Sequence, residues 1–297
     1  MIKSLPLLLS LFSIATFTLA QTQEYVDYWD ADETQKRSEG VYERGLENGE
    51  WNFWYASGQL KETAQYAMGY LNGKVTRYYQ NGQISEEGWF KKDVQDSLMT
   101  TWNRSGKTIS KGYYLNGRKF KEWAYHTKTG EVYQKEEYDS AGVKSVLYFK
   151  DKDGNVLIEN GNGFLKEFYP SGMISFIYPY SEGKIKGKFI EFYPTGDTAA
   201  TGYYNGEIKT GEWIVWNLSG SVTMVSHYKN NVLDGSFLIN YDHGKPKTTG
   251  IYNQGKKTGL WLWYFPDGNL DMEGNFTDDQ PDGEWKYYHP NEVVYYT

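Results

Sequence analysis

The sequence predicts an all-β chain, an elongated solenoid of stacked antiparallel β-hairpins. Three observations carry this: a glycine that returns every 24 residues, bulky apolar side chains in register with it, and the lack of long amphipathic helical stretches. Aromatics make up 18% of the 297 residues and glycine numbers 32, a composition that suits β structure. Length alone would suggest about two globular domains. A fixed period over most of the chain argues instead for one array.

The clearest unit is residues 250–273, GIYNQGKKTGLWLWYFPDGNLDME. Its YFPDG suits a type I turn with Pro266 at the second position. Aromatic and apolar segments flank the turn, so the unit reads as one hairpin plus a connector. The turn glycine recurs at 58, 82, 106, 130 and 154, then at 172, 196, 220, 244 and 268. The step from Gly154 to Gly172 is six residues short, which predicts a kink or a tightened connection there. Eight residues after the turn glycine stands an aromatic, as at Tyr66, Phe90, Tyr204, Tyr252 and Phe276. Seven before it stands a large apolar residue: Trp51, Val75, Met99, Trp123, Leu147, Leu165, Phe189, Trp213, Phe237 and Trp261. A last unit keeps Trp285 in this role but ends near Glu292 without its glycine. About eleven units would place some 22 strands at roughly 4.8 Å spacing, on the order of 100 Å in all. Trp51 and Trp54, Trp213 and Trp216, and Trp261 and Tyr264 are an odd number apart. Either a bulge brings each pair together or both faces carry aromatics.

In chain order, residues 1–20 carry Lys3, an apolar run and the small residues Thr18 and Ala20. They read as a secretory signal peptide cleaved near Ala20, which predicts a secreted, periplasmic or envelope location with no transmembrane span in the mature chain. No cysteine is present, so disulfides, thiolate nucleophiles and thiolate metal sites are excluded. Residues 21–39 are an acidic leader or cap. Residues 40–297 form the repeat array, degenerate up to about Gly154 and cleaner from Gly163, where a further glycine appears at 163, 187, 211, 235, 259 and 283. Ser97 and Lys121 take that glycine's place in the earlier units.

The pattern GxYxxGxxxGxWxxYxxxGxL, clearest at 202–222 and 250–270, resembles the MORN-repeat variant family. The resemblance covers roughly residues 40–297. It implies a scaffold of stacked β-hairpins with no shared catalytic residues, and an antitoxin-type role as partner of a toxin.

Candidate chemistry is sparse. His126, His227, His243 and His289 lie in different units and no two have metal-ligand spacing. Asp242 beside His243 reads as a turn residue, and no Gly-x-Ser-x-Gly elbow accompanies them. Asp151, Asp153 and Asn155 hint at calcium, but Val156 and Asn162 stand where such a loop needs glycine and glutamate. Glu50, Glu122, Glu212 and Glu284 precede the large residue, a position that holds Lys74, Leu98, Val146 and Leu260 in other units. That variety fits a solvated sheet face better than a row of acids. Of the sequons at Asn103, Asn217 and Asn275, the first two fall in turns. The expectation is a non-enzyme without catalytic, metal or cofactor residues. A formal charge of −7 disfavours nucleic acid. Three functions remain: an exported scaffold that binds another protein, which is favoured; a glycan-binding module built on exposed Trp and Tyr; and an enzyme whose site is assembled across repeats.

Overall fold

The computed structural model describes residues 21–289 and 294–296. The proposed signal segment and Glu292 therefore lie outside the described residues. The chain divides into two units, one up to Lys119 and one from Phe120. No helix occurs among the described residues.

In the first unit the strands are β1 (Thr22–Tyr28), β2 (Lys36–Glu43), β3 (Leu46–Trp54), β4 (Leu60–Ala67), β5 (Tyr70–Tyr78), β6 (Ile84–Lys91), β7 (Val94–Trp102) and β8 (Thr108–Leu115). The next, β9 (Arg118–His126), lies mostly in the second unit. There follow β10 (Val132–Tyr138), β11 (Lys144–Lys150), β12 (Val156–Glu159), β13 (Asn162–Phe168), β14 (Ile174–Ser181), β15 (Lys184–Phe192) and β16 (Thr198–Asn205). The last are β17 (Ile208–Trp216), β18 (Val222–Lys229), β19 (Val232–Asn240), β20 (Pro246–Asn253), β21 (Lys256–Tyr264), β22 (Leu270–Thr277), β23 (Gln280–Tyr288) and β24 (Val294–Tyr296). Within each unit every strand pairs antiparallel with the strand that follows it, so both units are meanders.

One end of each hairpin closes on the turn expected at the Pro-Asp-Gly stretch. The Gly268 N–H donates to the Phe265 carbonyl at 2.9 Å and the Phe265 N–H to the Asn269 carbonyl at 2.8 Å, which puts Pro266 second in the turn. The same pair of bonds closes the turns that start at Tyr55, Tyr79, Asn103, Tyr169, Tyr193 and Tyr241. The fourth residue is left-handed, with φ between 77° and 98° at Gly58, Gly106 and Gly268, which explains the periodic glycine.

The connector is itself a hairpin turn. Arg44 and Gly45 have φ of 54° and 79° between the paired Glu43 and Leu46, the two-residue type I′ arrangement. Asn116-Gly117, Asn230-Asn231 and Gln254-Gly255 repeat it. These turns are bonded to one another: the Gly69 N–H donates to the Glu47 carbonyl at 2.8 Å, and the Gly255 N–H to the Leu233 carbonyl at 2.7 Å. Where Asp93, Asn231 or Asp279 replaces the glycine, its Oδ1 also accepts the N–H of Leu71, Lys209 or Lys257, at 2.7 Å in each case.

Inside the odd strands a bulge repeats. From Glu39↔Asn52 to Val41↔Asn48, β2 advances two residues and β3 advances four. The slack lets Trp51 fold back over β2, and Gly49 absorbs it at φ 73°. This is the structural reason for the second periodic glycine, seen also at Gly211, Gly259 and Gly283 with φ of 65°, 63° and 72°. At Ser97 and Lys121 the backbone is the same, φ 67° and 58°, although neither is glycine.

Two further expectations need adjustment. Strand pairing begins at Thr22, well before Gly40: β1 pairs with β2 over seven positions from Thr22↔Glu43 to Tyr28↔Lys36. The turn between them rests on Asp30, whose Oδ1 accepts the N–H groups of Thr34 (3.0 Å) and Gln35 (2.9 Å), so no glycine marked it in the sequence. Leu147, the expected core marker, is the extra residue of a bulge opposite β10; Val146 pairs with Glu136 and is buried instead. In the short unit, β12 pairs with β13 at only two positions, and the Val146 N–H reaches past it to the Gly183 carbonyl at 2.7 Å.

A left-handed backbone costs a non-glycine residue about 1 kcal/mol. Ser97→Gly is therefore expected to raise stability by about that amount, read as a higher urea midpoint at unchanged m value. An unchanged or lower midpoint would contradict the bulge assignment.

Candidate functional site

One face of each sheet is a row in which large and small side chains alternate from strand to strand. In the first unit it runs Gly40, Trp51, Ala64, Val75, Gly88, Met99, Gly112. In the second it runs Phe189, Gly202, Trp213, Ser226, Phe237, Gly250, Trp261, Gly274. The rings lie flat on the glycines. A Cβ added at Gly40, Gly202, Gly250 or Gly274 would fall 2.3, 2.1, 2.2 and 2.2 Å from the nearest indole atom of Trp51, Trp213, Trp261 and Trp285. The marker aromatics wedge between these rings edge-on: Tyr204 meets Trp213 at 5.3 Å and 87°, and Tyr252 meets Trp261 at 5.2 Å and 86°. This face is the core.

The paired aromatics of the sequence resolve as well. Trp51 stacks with Phe53 at 6.1 Å, and Trp261 lies against Trp263 at 6.1 Å, so the partner is two residues on. Trp54 is engaged by the Lys36 ammonium, 5.6 Å from its ring.

A further row, missed in the sequence, lies three residues before the turn glycine. The hydroxyls of Tyr55, Tyr79, Tyr169, Tyr193 and Tyr241 donate to the carbonyls of Tyr78, Trp102, Phe192, Trp216 and Tyr264 at 2.7–2.8 Å, each 23 residues on. Of the other units, three carry Asn103, Asp151 or Asn217 here, each of which serves its own turn, and two carry Thr127 or Phe265. Asn103 Oδ1 accepts the N–H groups of Ser105 and Lys107 at 3.0 Å, and Asn217 Oδ1 those of Ser219 and Ser221 at 3.1 and 3.0 Å. Both sequons are thus turn residues; Asn275 lies in β22.

The remaining candidates are equally local. Asp151 Oδ1 accepts the N–H groups of Asp153 and Asn155, both at 2.9 Å, and hydrogen bonding, chiefly from the Asn155 side chain, holds its carboxyl below the usual range. The calcium-like spacing is a turn. His227 Nδ1 lies 3.0 Å from Ser236 Oγ, and His243 Nε2 lies 2.8 Å from the Pro266 carbonyl. His126 sits in β9, and His289 is exposed just past β23. Glu50, Glu122, Glu212 and Glu284 are all exposed.

Glu136 is buried where most other units have a small residue, Tyr178 being the other exception. Its Oε2 accepts the hydroxyls of Tyr125 and Tyr138 at 2.9 and 2.8 Å, its Oε1 the Gln134 amide at 2.7 Å, and Lys144 Nζ lies 3.5 Å away. A cleft of about 350 Å³ lined by Lys144, Val146 and Tyr180 adjoins it. Both oxygens are taken up by donors, which makes the carboxylate a plug of the core.

The opposite face differs between the two units. In the first, the row nearest the turns is polar: Asn52, Thr63, Thr76, Glu87, Thr100, Lys111. In the second, from β14 to β21, it is Ile177, Ile190, Thr201, Ile214, Val225, Leu238, Thr249, Leu262, half-buried apart from buried Thr201, and it is bounded by Lys166 on β13 and Glu273 on β22. Tyr203, Ile251 and Leu260 flank this row and are 45%, 49% and 47% exposed.

With this geometry in place, comparison with known proteins is informative. The model of the MORN repeat variant matches residues 47–67, 71–92, 257–278 and 281–297. These segments are MORN-variant repeats. Each MORN match starts within an odd strand, and the first three cross the glycine turn and take in the even strand that follows. The units between the matched MORN repeats keep the same strand order, turns and ring-on-glycine row, as at Gly202 and Trp213. No curated protein matches the chain. Among solved structures it is similar to TcdB2-TccC3-Cdc42 at 11% identity and TM-score 0.21, over 93% of this chain and 18% of that one. The Photorhabdus luminescens Tc holotoxin pore gives 12% identity and TM-score 0.16, over 82% and 14%. The chain spans less than a fifth of either, and likeness at this level carries no argument.

Burial holds the phenols of Tyr66, Tyr114, Tyr178, Tyr180, Tyr204 and Tyr252 above their ordinary value of 10.0. Such groups lend stability that is complete below the unfolded pKa and is lost as pH rises through the folded one. The melting temperature should hold up to about pH 9 and fall steeply above about pH 10, together with phenolate absorbance. A melt that ignores this range would contradict the burial of the tyrosine row.

Proposed function

We propose that the chain is an exported, non-catalytic MORN-repeat scaffold that binds another protein through the aliphatic row on the outer face of its second unit. One observation carries the reading. Two units built on the same repeat share a core row, yet at equivalent outer positions one presents Asn, Thr, Glu and Lys and the other Ile, Val, Leu and Thr. The core does not demand this difference, because the same ring-on-glycine packing stands behind both. Half-exposed aliphatic side chains in one file, flanked by Tyr203, Ile251 and Leu260, form a continuous apolar strip of the kind that marks a protein interface.

The apolar run before Ala20 supports export, and the acidic balance of −7 supports a protein over a nucleic acid as partner. The histidines and carboxylates engaged in turns and strand contacts support a non-catalytic role.

Affinity capture from an envelope fraction tests the reading, with the wild-type chain set against the double variant I214K/L238K. The wild type is expected to retain a discrete partner, and the variant to lose it by tenfold or more while its melting transition is kept. N-terminal sequencing of the exported chain should begin at Gln21. Equal retention by both chains, or a start at Met1, would contradict the proposal.

A further inference from the structure

We propose that the first unit carries a saccharide site: a cleft of about 460 Å³ over β1–β4 whose aromatic floor takes the apolar face of a neutral pyranose. The site is separate from the aliphatic row of the second unit.

The floor is a packed cluster of rings. Trp51, only 3% exposed, touches Tyr25 at 5.7 Å, Tyr42 at 4.9 Å and Phe53 at 6.1 Å, while Tyr25 and Tyr42 meet edge-on at 5.2 Å. Tyr25, Tyr42 and Phe53 are half-buried, so they offer ring surface that is already fixed in place and loses little freedom on binding. Trp29 stands at the rim, 48% exposed. Its Nε1–H donates to the Trp54 carbonyl at 3.2 Å, and the Arg37 guanidinium lies 5.7 Å from its ring centroid. Arg37 in turn pairs with Asp27 on the cleft wall.

These groups match the two sides of a sugar ring. A pyranose has a C–H face that packs on aromatic rings and an edge of hydroxyls that needs donors and acceptors together. Asp27 and Arg37 supply both within one pair. Glu47 and Lys61 are the other charged residues of the lining, so it carries two carboxylates and two cations and favours an uncharged ligand over a phosphate or an acidic sugar.

The cluster is not a by-product of the repeat. Tyr25 pairs with Gly40 and extends the core row by one strand, while Asp27 and Trp29 come from β1 or its end, outside the 24-residue spacing. Further along the first unit, the position that Phe53 fills is taken by Arg77, held by Glu62 at 2.6 Å and by Glu86, and then by Thr101, bonded to Ser110 at 2.8 Å. Aromatic surface is therefore concentrated under the added strand.

Titration calorimetry of the purified chain with maltotetraose, cellotetraose, chitotetraose and mannotetraose tests the site. At least one should give a saturable isotherm that W29A and D27N each weaken by about tenfold or more. Trp29 is half-exposed and makes one side-chain hydrogen bond, so W29A should still fold, which its melting curve checks. I214K/L238K should bind the sugar as the wild type does. The proposal is overturned if none of the four binds, if binding survives W29A, if it is lost in I214K/L238K, or if a decaproline peptide binds in place of the sugars.

Discussion

The fold depends on one steric fit: an indole or phenyl ring lying on the backbone of a residue with little or no side chain. A Cβ at Gly202 would stand 2.1 Å from the Trp213 ring, closer than any real contact allows. The fit is intolerant in the other direction too, since a small side chain in place of the ring would leave a void. Its importance shows in what it overrides. The indole N–H groups of Trp213, Trp261 and Trp285 are buried without a hydrogen-bond partner, an arrangement that costs about 1–3 kcal/mol each. Ring burial, ring–ring contact and the close backbone approach outweigh that cost together. The bulge at Gly49 and its equivalents belongs to the same device, because the two extra residues bring the ring back over the preceding strand.

Much of this was legible from spacing. The turn glycine, the wedge aromatic and the large marker each need one residue type at one position, so they recur in register. What escaped was information held in pairs. Every Trp of the marker row has a glycine eleven residues before it, as Gly40 precedes Trp51 and Gly250 precedes Trp261, while smaller Val75 follows Ala64. A count from the turn alone does not reveal that coupling. Type I′ turns were hidden for another reason: Arg44-Gly45, Lys92-Asp93 and Asn230-Asn231 share a backbone and no residue pattern. The tyrosine row before each turn was obscured because Asn103, Asp151 and Asn217 meet the same local need by a different bond. Leu147 was misplaced because a bulge shifts the register by one residue without changing the composition.

Function is read from departures from the repeat. The core row is shared by both units and so distinguishes nothing. The outer row is aliphatic only from β14 to β21, and the aromatic cleft forms only where β1 adds side chains outside the 24-residue spacing. Glu136 departs from the repeat as well, but its hydrogen bonds turn inward and close a gap in the core. Departures that leave side chains open to solvent are the ones that matter for partners.

A double-mutant cycle on Gly250 and Trp261 tests the central fit most directly. Gly250→Ala should cost about 2 kcal/mol or more in the wild-type background, as expected for overpacking. In the Trp261→Val background, which copies the chain's own Ala64 and Val75, it should cost less than about 0.5 kcal/mol. Equal costs in the two backgrounds would show that ring and glycine are independent, and the account of the fold would be wrong.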